Sequence, residues 1–329
     1  MKAAILVEPK RIEIREIPEP RVGKGEVLIK PARFGVCGSD VSFYLGHRVA
    51  PYPFLLGHET VGRITALGEG VTSLEIGQRV IVEPNYPCGA CAFCRAGRGN
   101  ICPNKLALGV TIPGCFADAF TAPAEFVWRV PDEIPDTEAI VIEPLAVSLH
   151  ALWHSRAHIG DTVAVIGCGA TGLLLIQAAV AQGVRVLAHD KFADKLEMAR
   201  KLGARVVETD DIAKLWRDEN VTVVFECAGA TATVELALSA APRGSQVVLI
   251  GLSSSPASFV PLRLVREGID MIGSLIYDHP ADFARVIALV KDGALRPSQI
   301  VTDTLSFDAM DRALQLATTG QSGKIVVTM

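Results

Sequence analysis

The sequence has no surplus of charge of either sign. It sets 32 Lys and Arg against 36 Asp and Glu, a formal net charge of −4, with the two signs interspersed. This excludes the electrostatic footprint by which proteins hold nucleic acid or an anionic membrane surface. It has no internal repeat and no low-complexity segment, so a repeat array is not expected. It also lacks an uninterrupted apolar run. Residues 162–188 are almost free of charge and long enough to span a bilayer, but Gly167, Gly169, Gly172 and Gly183 punctuate them, with Gln177 and Gln182 between. Strand, turn, helix and strand, buried beneath both faces of a parallel sheet, fit better than a membrane span. The apolar start, residues 1–7, meets Glu8 and Pro9 too soon for a signal-peptide core and has no small-residue cleavage site after it. It reads as a first strand of a cytoplasmic protein.

Half of the 329 residues are hydrophobic, enough for substantial cores, and the length favours two domains. Short strands separated by Gly and Pro fill the first part, among them 27–30 and 78–82. Pro51, Pro53, Pro84 and Pro87 keep this stretch from being helical. The texture changes after Pro144. Strands are expected at 163–166, 184–188, 221–225, 246–250 and 269–272, with helices at 171–182 and 193–202. This alternation is that of a doubly wound parallel sheet. A helix at 281–291 and a strand at 324–328 close the chain.

Eight cysteines in a chain this large need not be disulfide staples. Four of them, Cys88, Cys91, Cys94 and Cys102, follow a C-x2-C-x2-C-x7-C spacing that favours metal. Four thiolates fill every position of a tetrahedral Zn²⁺ and leave no opening for substrate, so this zinc would be structural. Cys115, Cys168 and Cys227 are read as small buried or loop residues.

Gly167, Gly169 and Gly172 form G-x-G-x-x-G after an apolar strand and at the opening of a helix, the context in which this pattern binds a dinucleotide. The helix N-terminus offers amide donors and partial positive charge to the phosphates. Asp190 follows about 20 residues on, where a carboxylate accepts the ribose hydroxyls and repels a 2′-phosphate. That favours NAD over NADP, although Lys191 follows directly. A catalytic zinc needs fewer protein ligands than a structural one. The candidates are Cys37 in Gly35-Val36-Cys37-Gly38-Ser39-Asp40, His58 and Glu59 in Gly57-His58-Glu59, and Glu143 before Pro144. Their spacing alone does not establish that they converge.

Taken together and in order along the chain, these motifs resemble the zinc-dependent medium-chain dehydrogenase/reductase family. Glu143-Pro144-Leu145-Ala146-Val147 resembles its polyol branch, which includes sorbitol and butanediol dehydrogenases. The resemblance implies an α/β fold: a GroES-like, mostly-β catalytic domain from residues 1–146 and 278–329, and a Rossmann domain at 147–277. It implies two zinc ions per chain, NAD, a small alcohol or ketone substrate, and a homodimer or homotetramer. Cys37, His58 and either Glu59 or Glu143 would hold the catalytic zinc, which lowers the pKa of a bound alcohol. Ser39 would take the alcohol's proton. Thr171, Lys195, Gly251, Leu252 and Ile276 would join the glycines and Asp190 around the cofactor.

Two departures bear on substrate. The family often carries a relay histidine five residues after Cys37. Here that position is Ser42, leaving His47 or water to serve. Sorbitol-type enzymes tend to carry tyrosine at the next position and arginine before Tyr277. This chain has Phe43 and Ile276. A pocket without those polar partners disfavours a many-hydroxyl sugar alcohol, whose buried hydroxyls would go unpaired. The expectation is oxidation of a secondary alcohol, short diol or polyol to a ketone. The competing readings are a zinc-independent enone or quinone reductase of the same fold and a catalytically silent relative. The intact Cys37, His58 and Glu143 argue against both.

Overall fold

The strand Glu26–Val36 carries a run of Val, Leu, Ile and Phe side chains that is mostly buried. It pairs antiparallel with Glu59–Leu67 and with Lys324–Thr328, and Phe120–Pro123 also joins it. Arg79–Val82 and Val127–Arg129 extend the sheet past Glu59–Leu67, and Val301–Ser306 extends it past Lys324–Thr328. A smaller sheet of Arg11–Glu16, Lys2–Glu8 and Phe54–Leu55 accompanies it. The core of this unit gathers Phe34, Phe116, Phe120, Ile29, Leu56 and Val80. Phe34 meets Phe116 edge-on, with ring centroids 5.6 Å apart at 81°. Each such side chain contributes roughly 1.5–3 kcal/mol through burial.

This computed structural model describes residues 1–206, 209 and 211–329. The chain divides into two units, Met1–Glu143 with Asp278–Met329, and Pro144–Tyr277. The division falls inside the helix Ile142–Trp153, three residues before the junction read from the sequence. Pro144 is tolerated there because the first turn of a helix needs no N–H donor.

The second unit is a six-stranded parallel sheet. In chain order its strands are Thr162–Ile166, Arg185–His189, Arg205–Val206, Val221–Glu226, Gln246–Leu249 and Asp270–Gly273. Their spatial order is third, second, first, fourth, fifth, sixth. The order reverses between the first and fourth strands, which opens a crevice at their carboxyl ends. The all-buried first strand reads as continuous β-branched and apolar residues, as a strand covered on both faces must.

The mostly-β unit and the doubly wound sheet are both present. Residues 162–188 do form strand, helix and strand, and no helix among the described residues is long and apolar enough to cross a membrane. The β-rich region also contains a helix, Gly38–Tyr44, that its strand-and-turn texture did not announce. The side chain of Asp40 starts this helix by accepting the Cys37 backbone N–H at 3.0 Å.

Candidate metal and dinucleotide sites

Within the first unit, the loop after Asn85–Tyr86 brings four sulfurs together. Cys91 and Cys94 Sγ lie 3.4 Å apart, Cys91 and Cys102 3.8 Å, and Cys88 and Cys94 4.0 Å. A tetrahedral zinc with Zn–S bonds of ~2.3 Å requires sulfurs about 3.8 Å apart. The observed spacings bracket that value, so the donor set fits zinc. Backbone amides prepare the charge: the N–H groups of Ala90 and then Cys91 lower the Cys88 thiol to about 6. Desolvation, with the neighbouring thiols, pushes Cys94 up to about 12.

A second set lies at the edges of the central strands. Ligand atoms of Cys37, His58 and Glu59 all lie within 4.8 Å of one another. Cys37 follows Glu26–Val36, while His58 directly precedes Glu59–Leu67. The antiparallel register sets Gly35 opposite Glu59. Asp40 ties both loops together: its Oδ2 accepts from Cys37 N, its Oδ1 accepts from Gly57 N at 3.3 Å, and Oδ1 stands 3.6 Å from His58 Nδ1. Burial alone would depress the His58 pKa, but Asp40, Cys37 and Glu143 hold it well above the usual histidine range. Glu59 is fully buried, and its Oε1 has no hydrogen-bond partner. With the Lys324 ammonium on Oε2, the unpartnered Oε1 leaves this buried carboxylate a further oxygen to offer a cation. This set, too, fits a transition metal.

Ser39 Oγ stands 3.5 Å from His58 Nε2. Glu143 is buried in the first turn of Ile142–Trp153 and acts on His58 through its charge, but it lies outside the 4.8 Å group. His47 is exposed on the loop after Gly38–Tyr44, and the structure does not bring its ring into the cluster. Phe43 is 3% exposed and belongs to the β-unit core, 6.1 Å from the Phe54 ring and beneath the Arg48 guanidinium. That packing accounts for an apolar residue at 43 without any substrate. Sequence reasoning missed Lys324, whose ammonium pairs with Glu59. A buried lysine in an otherwise apolar final strand was its signal.

In the second unit the glycine turn follows Thr162–Ile166 and opens the helix Ala170–Ala181. Gly172 packs so tightly that a Cβ there would lie 1.9 Å from the Gly167 carbonyl oxygen. Asp190 accepts from Cys168 N at 2.7 Å and from Phe192 N at 2.9 Å. Lys195 is buried nearby, with Nζ 3.9 Å from where a Cβ on Gly169 would sit. Gly251 covers Glu226, a fully buried carboxylate that the sequence reading passed over. Glu226 Oε1 accepts from Ala228 N, Gly229 N and the Thr233 hydroxyl at 2.7–2.9 Å, fixing the turn after its strand. Leu252 is 77% exposed, and Ile276 holds φ at 48°, a strained value for a β-branched residue.

A doubly wound sheet with this turn takes a dinucleotide, and a half-buried cysteine sulfur beside a buried imidazole and carboxylate takes a transition metal. Together they define a metal- and dinucleotide-dependent oxidoreductase. Residues 23–132 match the alcohol dehydrogenase GroES-like domain, and residues 170–292 match the zinc-binding dehydrogenase domain. Sorbitol dehydrogenase of Bacillus subtilis strain 168 is 35% identical over 96% of this chain and 94% of its own length. The structure is similar to RspB from Escherichia coli CFT073 in complex with NADH, with a TM-score of 0.93 and 29% identity over 100% and 99% of the two chains. It is similar also to 2R,3R-butanediol dehydrogenase from Bacillus subtilis, with a TM-score of 0.90, 29% identity and the same coverage. The chain belongs to the zinc-type medium-chain dehydrogenase/reductase superfamily, in its polyol branch, and is an oxidoreductase of the alcohol dehydrogenase type.

Proposed function

We propose that the protein oxidises a secondary alcohol, a short diol or a polyol to the ketone, using NAD and a catalytic zinc held by Cys37, His58 and Glu59. The observation that carries this reading is the convergence of those three donors within 4.8 Å, with one oxygen of the buried Glu59 unpaired. When bound, zinc polarises the substrate oxygen and NAD accepts the hydride. The chain's own part is to orient, neutralise and move a proton. Asp40 fixes the Cys37 and His58 loops, and Ser39 accepts the substrate's proton as it passes its own on to solvent or to the exposed His47. Glu143 adds a further anionic charge beside His58. The second unit holds the dinucleotide: amides of the glycine turn face the phosphates, and Asp190 receives the ribose hydroxyls. Gly251, Leu252 and the strained Ile276, at the ends of the fifth and sixth strands, border the nicotinamide end.

The four-cysteine lobe holds a second, structural zinc. The sixth strand, Asp270–Gly273, is an edge of its sheet, and Val260, Leu262, Val265 and Met271 around it are exposed. This supports a homo-oligomer that covers the edge. Eight free cysteines, several clustered to serve as metal-ligand thiolates, suit a reducing cytoplasm. The test is metal analysis of purified protein, followed by NAD reduction on a panel of alcohols. Two zinc per chain with turnover supports the reading. One zinc with enone reduction would favour the zinc-independent alternative, and two zinc with no turnover would favour a silent relative.

A further inference from the structure

Lys324 and Glu59 meet in the interior across three strands. Lys324 opens the strand Lys324–Thr328, which runs antiparallel to Glu26–Val36 with Val326 opposite Gly35. Gly35 in turn stands opposite Glu59. Side chains at 324, 326, 35 and 59 therefore share one face. Gly35 leaves the gap through which the two long side chains touch: a Cβ there would lie 1.9 Å from Glu59 Oε2 and 3.0 Å from Lys324 Cε. Its φ is not in the left-handed region, so the need for glycine is one of space alone. Lys324 Nζ donates to Val36 O at 3.0 Å and pairs with Glu59 Oε2. Lys324 is 1% exposed and Glu59 0%. The same ammonium is within electrostatic reach of Cys37 and Glu143.

The two oxygens of Glu59 are thus unlike. Oε2 is engaged by a fixed cation, Oε1 has no partner, and one carboxylate oxygen of Glu59 lies within 4.8 Å of the Cys37 and His58 ligand atoms. We propose that Lys324 is a positioning residue that restricts Glu59 to one oxygen toward the metal, so that the third protein ligand is monodentate and a coordination position stays open for substrate. The proposal rests on the Cys37–His58–Glu59 site described above. It also gives Lys324 a second effect. Its positive charge competes with the metal for Glu59, so the metal is held less tightly than the three donors alone would hold it.

The experiment compares wild type, Lys324→Met, Glu59→Gln and the double variant, each loaded with zinc and challenged with a chelator. A parallel set carries Co²⁺ at the Cys37 site, read by its visible d–d absorption. In Lys324→Met, Glu59 has the metal as its only cation. Loss of the second zinc to the chelator should slow by about tenfold or more, and the cobalt bands should weaken as coordination number rises. Melting of the chelated protein should fall further than that of the loaded protein. Lys324→Arg should restore wild-type retention. In the Glu59→Gln background, Lys324→Met should slow the loss by less, through relief of the ammonium's own repulsion of the metal alone, and this double variant, free of an unpaired buried charge, carries the test if the single variant does not fold. Equal retention in wild type and Lys324→Met, or the same change in both backgrounds, would overturn the proposal. A wild type that binds zinc only at the four cysteines would instead overturn the metal reading on which it rests.

Discussion

The Asp190 carboxylate accepts the backbone N–H of Cys168 at 2.7 Å, so the residue read as the ribose acceptor is itself part of the glycine turn. One oxygen braces the phosphate loop, and the other is braced by Phe192 N. Each still has a lone pair for a ribose hydroxyl. Asp190→Ser should therefore raise KM for NAD by about tenfold to a hundredfold, since charge-assisted hydrogen bonds contribute about 1.5–3 kcal/mol each. It should also improve the use of NADP by removing the repulsion of a 2′-phosphate. Steady-state kinetics with both cofactors checks this. A wild type that uses NADP as well as NAD would remove the assignment.

The two metal sites should respond differently to loss of a ligand. Cys37→Ala or His58→Ala should abolish turnover and remove about one zinc per chain while leaving the fold intact. Cys91→Ala should lower Tm by about 5 °C or more, because a structural zinc contributes directly to folding free energy. Zinc content by elemental analysis, set beside thermal melts, separates the two. A Cys37→Ala protein that is inactive yet keeps both zinc ions would contradict the ligand role.

The sequence made legible what is local. The four-cysteine spacing, the glycine turn at its strand–helix junction and the alternation of the second unit all lie within short windows, where periodicity and spacing carry information. What stayed hidden depends on register between distant strands. Nothing near Lys324 says that it will meet Glu59, and Gly35 was visible only as part of the Cys37 motif, although a glycine inside a buried strand signals a close approach. Glu226 lies just past the strand expected at 221–225, and its role in fixing the next turn needs the fold. Phe43, read from the sequence as facing the substrate, packs here against Phe54 in the core of the β-rich unit.

Stability should depend on pH through His279 and Glu83. Glu83 is 1% exposed, and its Oε2 accepts from His279 Nδ1 at 2.8 Å and from Trp128 Nε1 at 2.9 Å. The Glu83 hydrogen bond, with help from Glu125, raises the His279 pKa above 6.5 against partial burial. A raised folded-state value means the stabilisation is fully present below pH 6.5 and is lost as pH rises through the native pKa. His279 is more than a third exposed, so the effect is modest. His279→Gln should lower Tm below pH 6.5 and converge on wild type at alkaline pH. A Tm difference that stays constant across that range would show that the contact does not depend on the charge.

Substrate preference should follow the missing polar partner before Tyr277. Ile276 stands where the resemblance to sorbitol-type enzymes implies an arginine that contacts the polyol. A pocket without hydrogen-bond partners strands each buried hydroxyl at about 1–3 kcal/mol, whereas an apolar substituent gains about 0.8 kcal/mol per methylene. Two stranded hydroxyls would cost on the order of a hundredfold in kcat/KM. Secondary alcohols and short diols should therefore outperform sorbitol and xylitol. A panel of secondary alcohols, short diols, sorbitol and xylitol, compared by kcat/KM, checks this. Ile276→Arg should shift preference toward polyols without loss of fold, because the backbone there is at φ 48° and an unbranched Cβ tolerates that conformation better than isoleucine does. Sorbitol as the best substrate of the wild type would mean that other side chains supply the polar contacts.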